Sequence, residues 1–299
     1  MSQGPDQPAA APPLRWGAEA LWQQLEPQLP GLTVEIVAQI GSTNTTLLER
    51  ARQSPTDALV PALLVAEQQT AGRGRQGKTW HTGIGDALTF SLALPLAMRD
   101  WSGLSLAVGL ALADALDPIV DAATAGQPPR LGLKWPNDLL LRDADPGSPT
   151  IGRKLGGILI ETVQAGAQRI AVIGMGLNVR VLPPEALPPG LSWGRAAVQE
   201  LWPGADAPAV LARVLPPLVQ VLRSFERDGF APLRAGFSRR DVLAGRAVTT
   251  TLPGLPQGVA DGVDASGTLW LRTADGARHP VASGDVSLRP ATSTPPVAG

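Results

Sequence analysis

Apolar residues recur at helical spacing over Leu14, Ala18, Leu21, Leu25 and Leu29, and Pro30-Gly31 ends the run, so the pattern predicts a packed helix. Residues 32–40 switch to strand-like alternation. Ser42-Thr43-Asn44 and a short helix to Gln53 follow. Residues 60–68 and 86–95 read as strands on either side of a polar, glycine-rich stretch, and residues 102–116 are apolar nearly all round, the mark of a helix buried on a sheet. Residues 131–135 and 139–142 read as strands separated by Pro136-Asn137-Asp138, and residues 154–163 and 169–179 as a hairpin of long buried strands. Residues 207–227 and 231–240 are helical in pattern. One helix against five or six strands predicts an α+β domain with a mostly antiparallel sheet.

From Arg246 onward the texture changes. Short alternating runs at 247–252, 258–263, 268–272, 277–281 and 285–289 are broken by Asp264-Ala265-Ser266-Gly267 and Asp275-Gly276. That spacing predicts a small all-β barrel. The expected organisation is a disordered Pro/Ala-rich segment over 1–13, a domain over 14–240, a small barrel over 241–290 and a disordered tail over 291–299. No internal repeat is present.

Composition narrows the chemistry. The chain of 299 residues has no Cys, no Tyr and two His, which excludes disulfides, thiolate catalysis and a Cys/His zinc site. A net charge of −1 gives no general electrostatic case for nucleic acid. No apolar run is long enough to cross a membrane, and the first residues carry no signal or transit pattern, so a cytoplasmic protein is expected. Reactions must then rest on Lys, Arg, Asp, Asn and the backbone, an inventory suited to charge stabilisation at a phosphate.

The strongest local signal is residues 67–80, Glu-Gln-Gln-Thr-Ala-Gly-Arg-Gly-Arg-Gln-Gly-Lys-Thr-Trp. Glycines let a backbone approach a ligand, Arg forks and a Lys ammonium favour an anion, and Trp80 offers a face on which a purine can stack. Residues 72–79 also match the P-loop pattern, but that motif requires a helix beginning at its lysine, and residues 87–95 read as a strand. Elsewhere, Ser42 or Thr43 reads either as a helix cap or, with Asn44, as ligand-facing at a strand-to-helix junction. Lys134 and Asp138 place a cation and an anion at one strand end.

Taken together, Ser42-Thr43-Asn44, Gln69-x-x-Gly72-Arg73-Gly74-Arg75-x-Gly77 with Trp80, Lys134-Trp135-Pro136-Asn137-Asp138, Lys154-Leu155-Gly156-Gly157 through Glu161, Gly174-Met175-Gly176-Leu177-Asn178 and Asp285 through Arg289 resemble the biotin protein ligases, in that family's order and over residues 32–289. The resemblance implies the catalytic fold shared with class II aminoacyl-tRNA synthetases. It also implies an enzyme that joins biotin to ATP as biotinyl-5′-AMP and then biotinylates one lysine of a carboxylase's biotin carboxyl carrier protein.

Carried over, Ser42, Thr43, Asn44, Gln69, Arg73, Gly74, Arg75, Lys154 and Gly157 would line the biotin side. Lys78, Trp80, Lys134, Asn137, Lys154, Asn178 and Arg289 would face the nucleotide. Lys154, Arg75, Asp138 and Lys134 would form the catalytic set, with Lys154 touching both the biotin carboxylate and the α-phosphate, where like charges otherwise repel. Asp138 would act with Mg²⁺ or on the incoming lysine, and no further metal ligand is assigned.

Two departures stand out: Lys78 where the family usually has Arg, and a longer segment over 143–153. With 41 residues before Ser42, no winged-helix domain and no specific DNA binding are expected, and the chain is expected as a monomer or homodimer. The alternatives are a lipoate or octanoate ligase, which shares the fold without this motif set, and a P-loop ATPase.

Overall fold

The computed structural model describes residues 14–53, 60–81, 83–98, 100–119, 128–143, 151–166, 168–186, 194–250, 252, 254–255, 257–281 and 289–290. The disorder expected over 1–13 and 291–299, most of the 143–153 segment and most of the last predicted strand lie outside the described residues.

After helix α1 (Ala18–Leu25), strand β1 (Thr33–Ile40) runs parallel to β2 (Ala62–Gln69), and helix α2 (Thr43–Gln53) makes the crossover that parallel neighbours require. Then come β3 (Ala87–Pro95), α3 (Leu104–Leu116), β4 (Leu131–Lys134), β5 (Asp138–Leu141), β6 (Arg153–Ala165) and β7 (Gln168–Asn178). The seven strands lie in the order β1-β2-β3-β7-β6-β5-β4, and every neighbouring pair except β1–β2 is antiparallel. The sheet is therefore of the mostly antiparallel α+β kind the pattern predicts.

Helix α2 covers one face, where Leu47, Leu48 and Ala51 pack on Leu64, Ala93, Ile170 and Val172. The opposite face carries the main core, into which α1, α3 and helix α4 (Ala207–Asp228) bury their leucines. Helix α3 lies close to the sheet because Gly109 has no side chain: a Cβ there would meet Leu133 Cδ2 at 3.3 Å and Ile158 Cδ1 at 3.5 Å. Helix α5 (Arg234–Arg240) follows a single 3₁₀ turn, so the predicted 231–240 helix is split. Its last residue, Arg240, is fully buried and donates to Asp114, Asp117 and the Leu131 carbonyl, fastening the chain to α3 and β4.

The C-terminal unit contains β8 (Ala247–Thr249), β9 (Gln257–Val263), β10 (Leu269–Arg272), β11 (Arg278–Val281) and β12 (Arg289–Pro290) in the order β11-β10-β9-β8-β12. The small all-β unit expected after Arg246 is thus present as an antiparallel sheet among the described residues. No helix among the described residues is long and apolar enough to cross a membrane.

Candidate active site

Strand β6 departs from regular pairing at its start. Leu140 pairs with Lys154 and Leu139 with Gly156, leaving Leu155 as an extra residue, a β-bulge. Lys154 and Gly157 are thereby brought to the same face, beside Asp138. Lys154 Nζ donates to Asp138 Oδ1 at 2.7 Å, and a Cβ on Gly157 would lie 3.4 Å from that ammonium. On the other side of the carboxylate stands Lys134 Nζ, 3.8 Å from Asp138 Oδ2, placed by direct pairing of the two residues across the β4–β5 turn. Lys134 is almost wholly buried and Lys154 less so, leaving the latter's ammonium the more accessible.

The surface beside this cluster is bare backbone. Gly157 pairs with Gly176 on β7, and Gly174 lies two residues further along the same face. A Cβ on Gly174 would strike Asn44 at 2.2 Å, and one on Gly176 would strike the Trp80 indole at 2.4 Å. The glycines therefore let one side chain settle onto each site. Trp80 also lies 5.9 Å from Lys154 Nζ, and its buried indole N–H makes no hydrogen bond among the described residues.

Trp80 is delivered by a small hairpin of its own. Trp80 N donates to Gly72 O at 2.9 Å, Arg73 pairs with Thr79, and Gly74 N donates to Lys78 O at 2.7 Å around a 3₁₀ turn at Arg75–Gly77. Positive φ at Gln76 and Gly77 closes that turn. A strand, β3, follows, so the helix that a P-loop requires is absent here. Arg75 is half-buried within electrostatic reach of Asp138: burial pulls its guanidinium below the ordinary arginine value, and the carboxylate opposes that shift. Lys78 is exposed at the end of that turn.

The start of α2 supplies a buried polar chain. Ser42 is the cap, its carbonyl accepting from Thr46 N and its hydroxyl approaching Thr45 N at 3.4 Å. Gln69 Oε1 accepts from Thr43 N at 2.8 Å, Thr43 Oγ1 meets Ser91 Oγ at 2.7 Å, and Ser91 Oγ donates to Asn44 Oδ1 at 2.6 Å. Asn44 Nδ2 continues to Glu161 Oε2 at 3.1 Å, and Glu161 Oε1 reaches Arg73 at 3.5 Å. Ser42, Thr43 and Asn44 are all buried, and Ser42 acts as the cap while Thr43 and Asn44 belong to the polar chain.

Asn137 and Asn178 brace the frame. Asn137 Nδ2 donates to Ile158 O at 2.9 Å while its own carbonyl accepts from Ile158 N, and Asn178 Nδ2 donates to Lys154 O at 3.1 Å. Arg289 pairs through its backbone with Thr249 on β8 in the C-terminal sheet.

Two participants escaped the sequence reading. Ser91 sits in an alternating apolar strand, and only its position opposite Gly174 would have singled it out. Arg195 donates to the carbonyls of Arg180 and Asp86, while its neighbours Gly194 and Ala196 hold the Lys154 backbone at both N and O. No motif marked it.

The sequence model of the biotin/lipoate A/B protein ligase family matches residues 36–178, and that of the biotin protein ligase C-terminal domain matches residues 244–289. The biotin–acetyl-CoA-carboxylase ligase of Mycobacterium tuberculosis is 35% identical over 276 residues, covering 90% of this chain and 91% of that protein. The bifunctional ligase/repressor BirA of Escherichia coli is 32% identical, over 90% of this chain and 78% of that protein. Among solved structures, the Aquifex aeolicus biotin protein ligase in complex with biotin and ATP superposes with a TM-score of 0.66 at 25% identity, over 87% of this chain and 99% of that one. This chain belongs to the biotin protein ligase family.

Proposed function

We propose that this chain condenses biotin with ATP and passes the biotinyl group to a lysine of a carboxylase's biotin carboxyl carrier domain. The observation that carries the reading is the Lys154–Asp138–Lys134 cluster beside the bare Gly157–Gly176 surface under Trp80. One carboxylate there holds two ammonium groups, so Lys154 can turn to an incoming anion while Lys134 keeps Asp138 compensated.

In the first half-reaction a biotin carboxylate oxygen attacks the α-phosphorus of ATP. The bond from that phosphorus to the bridging oxygen breaks, and pyrophosphate leaves. Both reactants are anionic, and Lys154 touching both relieves their repulsion and fixes the line of attack. Arg75, already partly dehydrated, adds a second fixed charge.

In the second half-reaction the carrier amine, once it has lost its proton, attacks the acyl carbon and AMP departs. Asp138 is the carboxylate placed to take that proton. Thr43, Asn44, Gln69 and Arg73 shape the biotin end of the surface. The unpartnered Trp80 N–H and the indole face serve the adenylate. Mg²⁺ carried by the nucleotide would supply charge neutralisation on its phosphates. Asp138 would be the carboxylate of the cluster able to meet such an ion. The requirement for ATP supports a cytoplasmic location, and the net charge of −1 supports a protein without a nucleic-acid partner.

The test is to incubate the purified chain with Mg·ATP and an equal mixture of biotin and lipoate, and to identify the retained small molecule by mass spectrometry. Biotinyl-adenylate is expected. Lipoyl-adenylate would keep the chemistry and overturn the specificity, and ADP without any acyl-adenylate would overturn the reading altogether.

A further inference from the structure

The β4–β5 turn that holds Lys134 and Asp138 sits at the edge of the large sheet, where one flank of β4 has no strand beside it. That flank is occupied by the approach to the C-terminal unit. Val242 N donates to Leu133 O at 3.1 Å, Asp241 pairs with Leu133, and a Cβ on Gly132 would collide with Val242.

The end of the turn is held as well. Trp135, next to Lys134 and 1% exposed, donates its indole N–H to Gly267 O at 3.1 Å, across 132 residues of sequence. Gly267 belongs to a tight turn organised by Asp264, which accepts from Ser266 N, Thr268 N and Trp270 Nε1. The turn is seated against α3 by two facing glycines. A Cβ on Gly267 would lie 2.7 Å from Gly103 Cα, and both residues have φ near +80°, at +82° and +78°.

We infer that the Asp264–Thr268 turn of the C-terminal sheet is a positioning element for the first half-reaction, acting through Trp135 on the Lys134–Asp138 pair. This role rests on the proposed adenylation. A rigid turn anchored at Asp264 fixes the Trp135 ring, the ring fixes the adjoining peptide, and the peptide fixes where Lys134 presents its ammonium to Asp138 and Lys154. Biotin's own contacts at the start of α2 are built from other elements, so the effect falls on the chemical step and not on biotin capture. A displacement of this kind lowers the rate by up to about 100-fold when reacting groups move by about 1 Å.

The experiment uses the full chain and single-turnover pyrophosphate release. Trp135→Phe removes the N–H donor together with the five-membered part of the indole, whereas Gly267→Ala leaves Trp135 whole and forces the turn away from Gly103. Each is expected to lower the rate of adenylate formation at saturating substrate by about 10- to 100-fold with the biotin KM held within about twofold. The double variant is expected to be no worse than the more affected single one, because both act through one contact.

Trp135→Phe at the parental rate, a rise in biotin KM equal to the fall in rate, or additive losses in the double variant would each overturn the positioning role. Absence of adenylate from the unsubstituted chain would instead overturn the proposed function, and this inference with it.

Discussion

Lys154 and Asp138 meet diagonally across two antiparallel strands, Nζ to Oδ1 at 2.7 Å, because the bulge at Leu155 turns Lys154 toward the carboxylate. The ammonium is held ready beside a surface without side chains, so the charge is in place before substrate arrives. Lys154→Ala is expected to lower single-turnover adenylate formation by about 10²–10³-fold, the usual cost of losing one preorganised charge contact. Lys154→Arg is expected to restore little, since a planar fork does not replace a point charge between two anions. Retention of more than a tenth of the parental rate in Lys154→Ala would refute the assigned role.

Ser91 joins Thr43 to Asn44 in the buried chain at the head of α2. Ser91→Ala leaves the Asn44 carbonyl oxygen without its donor, which costs about 1–3 kcal/mol for a buried polar group. Thermal unfolding is expected to shift down by several degrees and the biotin KM to rise, with the nucleotide KM unmoved. Calorimetry with a biotin titration checks both, and an unchanged biotin KM would remove Ser91 from the site.

Gly176→Ala would place a methyl 2.4 Å from the Trp80 indole. The glycine lies in a regular β-strand, so the clash is with the indole and not with backbone conformation. The ATP KM is expected to rise by roughly tenfold, the equivalent of one lost stacking contact of about 1–1.5 kcal/mol. Trp80→Ala should reproduce that rise and render Gly176→Ala silent; steady-state kinetics on the two singles and the double decide it.

Asp241, at the passage from α5 to the C-terminal sheet, is mostly buried, and burial pushes its carboxyl up to about 6 despite amide donors from Leu243 and Ala244. A carboxyl whose folded-state pKa is raised contributes stability that is full below its unfolded value, near 4, and is lost as pH climbs to about 6. The difference across that window is about 3 kcal/mol for a shift of about two units. Asp241→Asn keeps an acceptor for Leu243 N and removes the titration. Relative to this variant, the parent is expected to lose stability between pH 4 and 6 and to run parallel above pH 6.5, as read from denaturant midpoints; parallel curves throughout would refute the assignment.

Much of this architecture was legible because local pattern and fold agree. The all-apolar α3 had to be buried, the strands around residues 72–80 alternate cleanly, and Pro136-Asn137-Asp138 punctuates a real turn. The site was legible mainly where glycine, lysine and aspartate cluster. Three things were not. Ser91 looked like any strand residue, since its partner lies 47 positions away on α2. Lys78 gave no sign in the sequence of its exposure, which follows the turn made by the φ > 0 residues Gln76 and Gly77. Strand spacing announces a small β unit at the C-terminus but does not encode whether it closes, and the pairing among the described residues is that of an antiparallel sheet.

The bulge at Leu155 has a meaning for how this chain can change over generations. Lys154 and Gly157 stand three residues apart yet share a face, and so do Leu155 and Ile158 in the main core. Strand β6 is thus written in two alternation frames spliced at one residue. Substitutions on either side of the splice act singly; deletion of Leu155 would leave Lys154 and Gly157 two residues apart, the spacing of a regular strand, and keep the ammonium on its face, whereas straightening the bulge at full length would turn it toward the leucines beneath α3. The placement of Lys154 therefore rests on how β6 accommodates one extra residue, and less on the lysine's own chemistry. A change that straightens β6 without shortening it, and not the loss of the extra residue, is what would bury the ammonium.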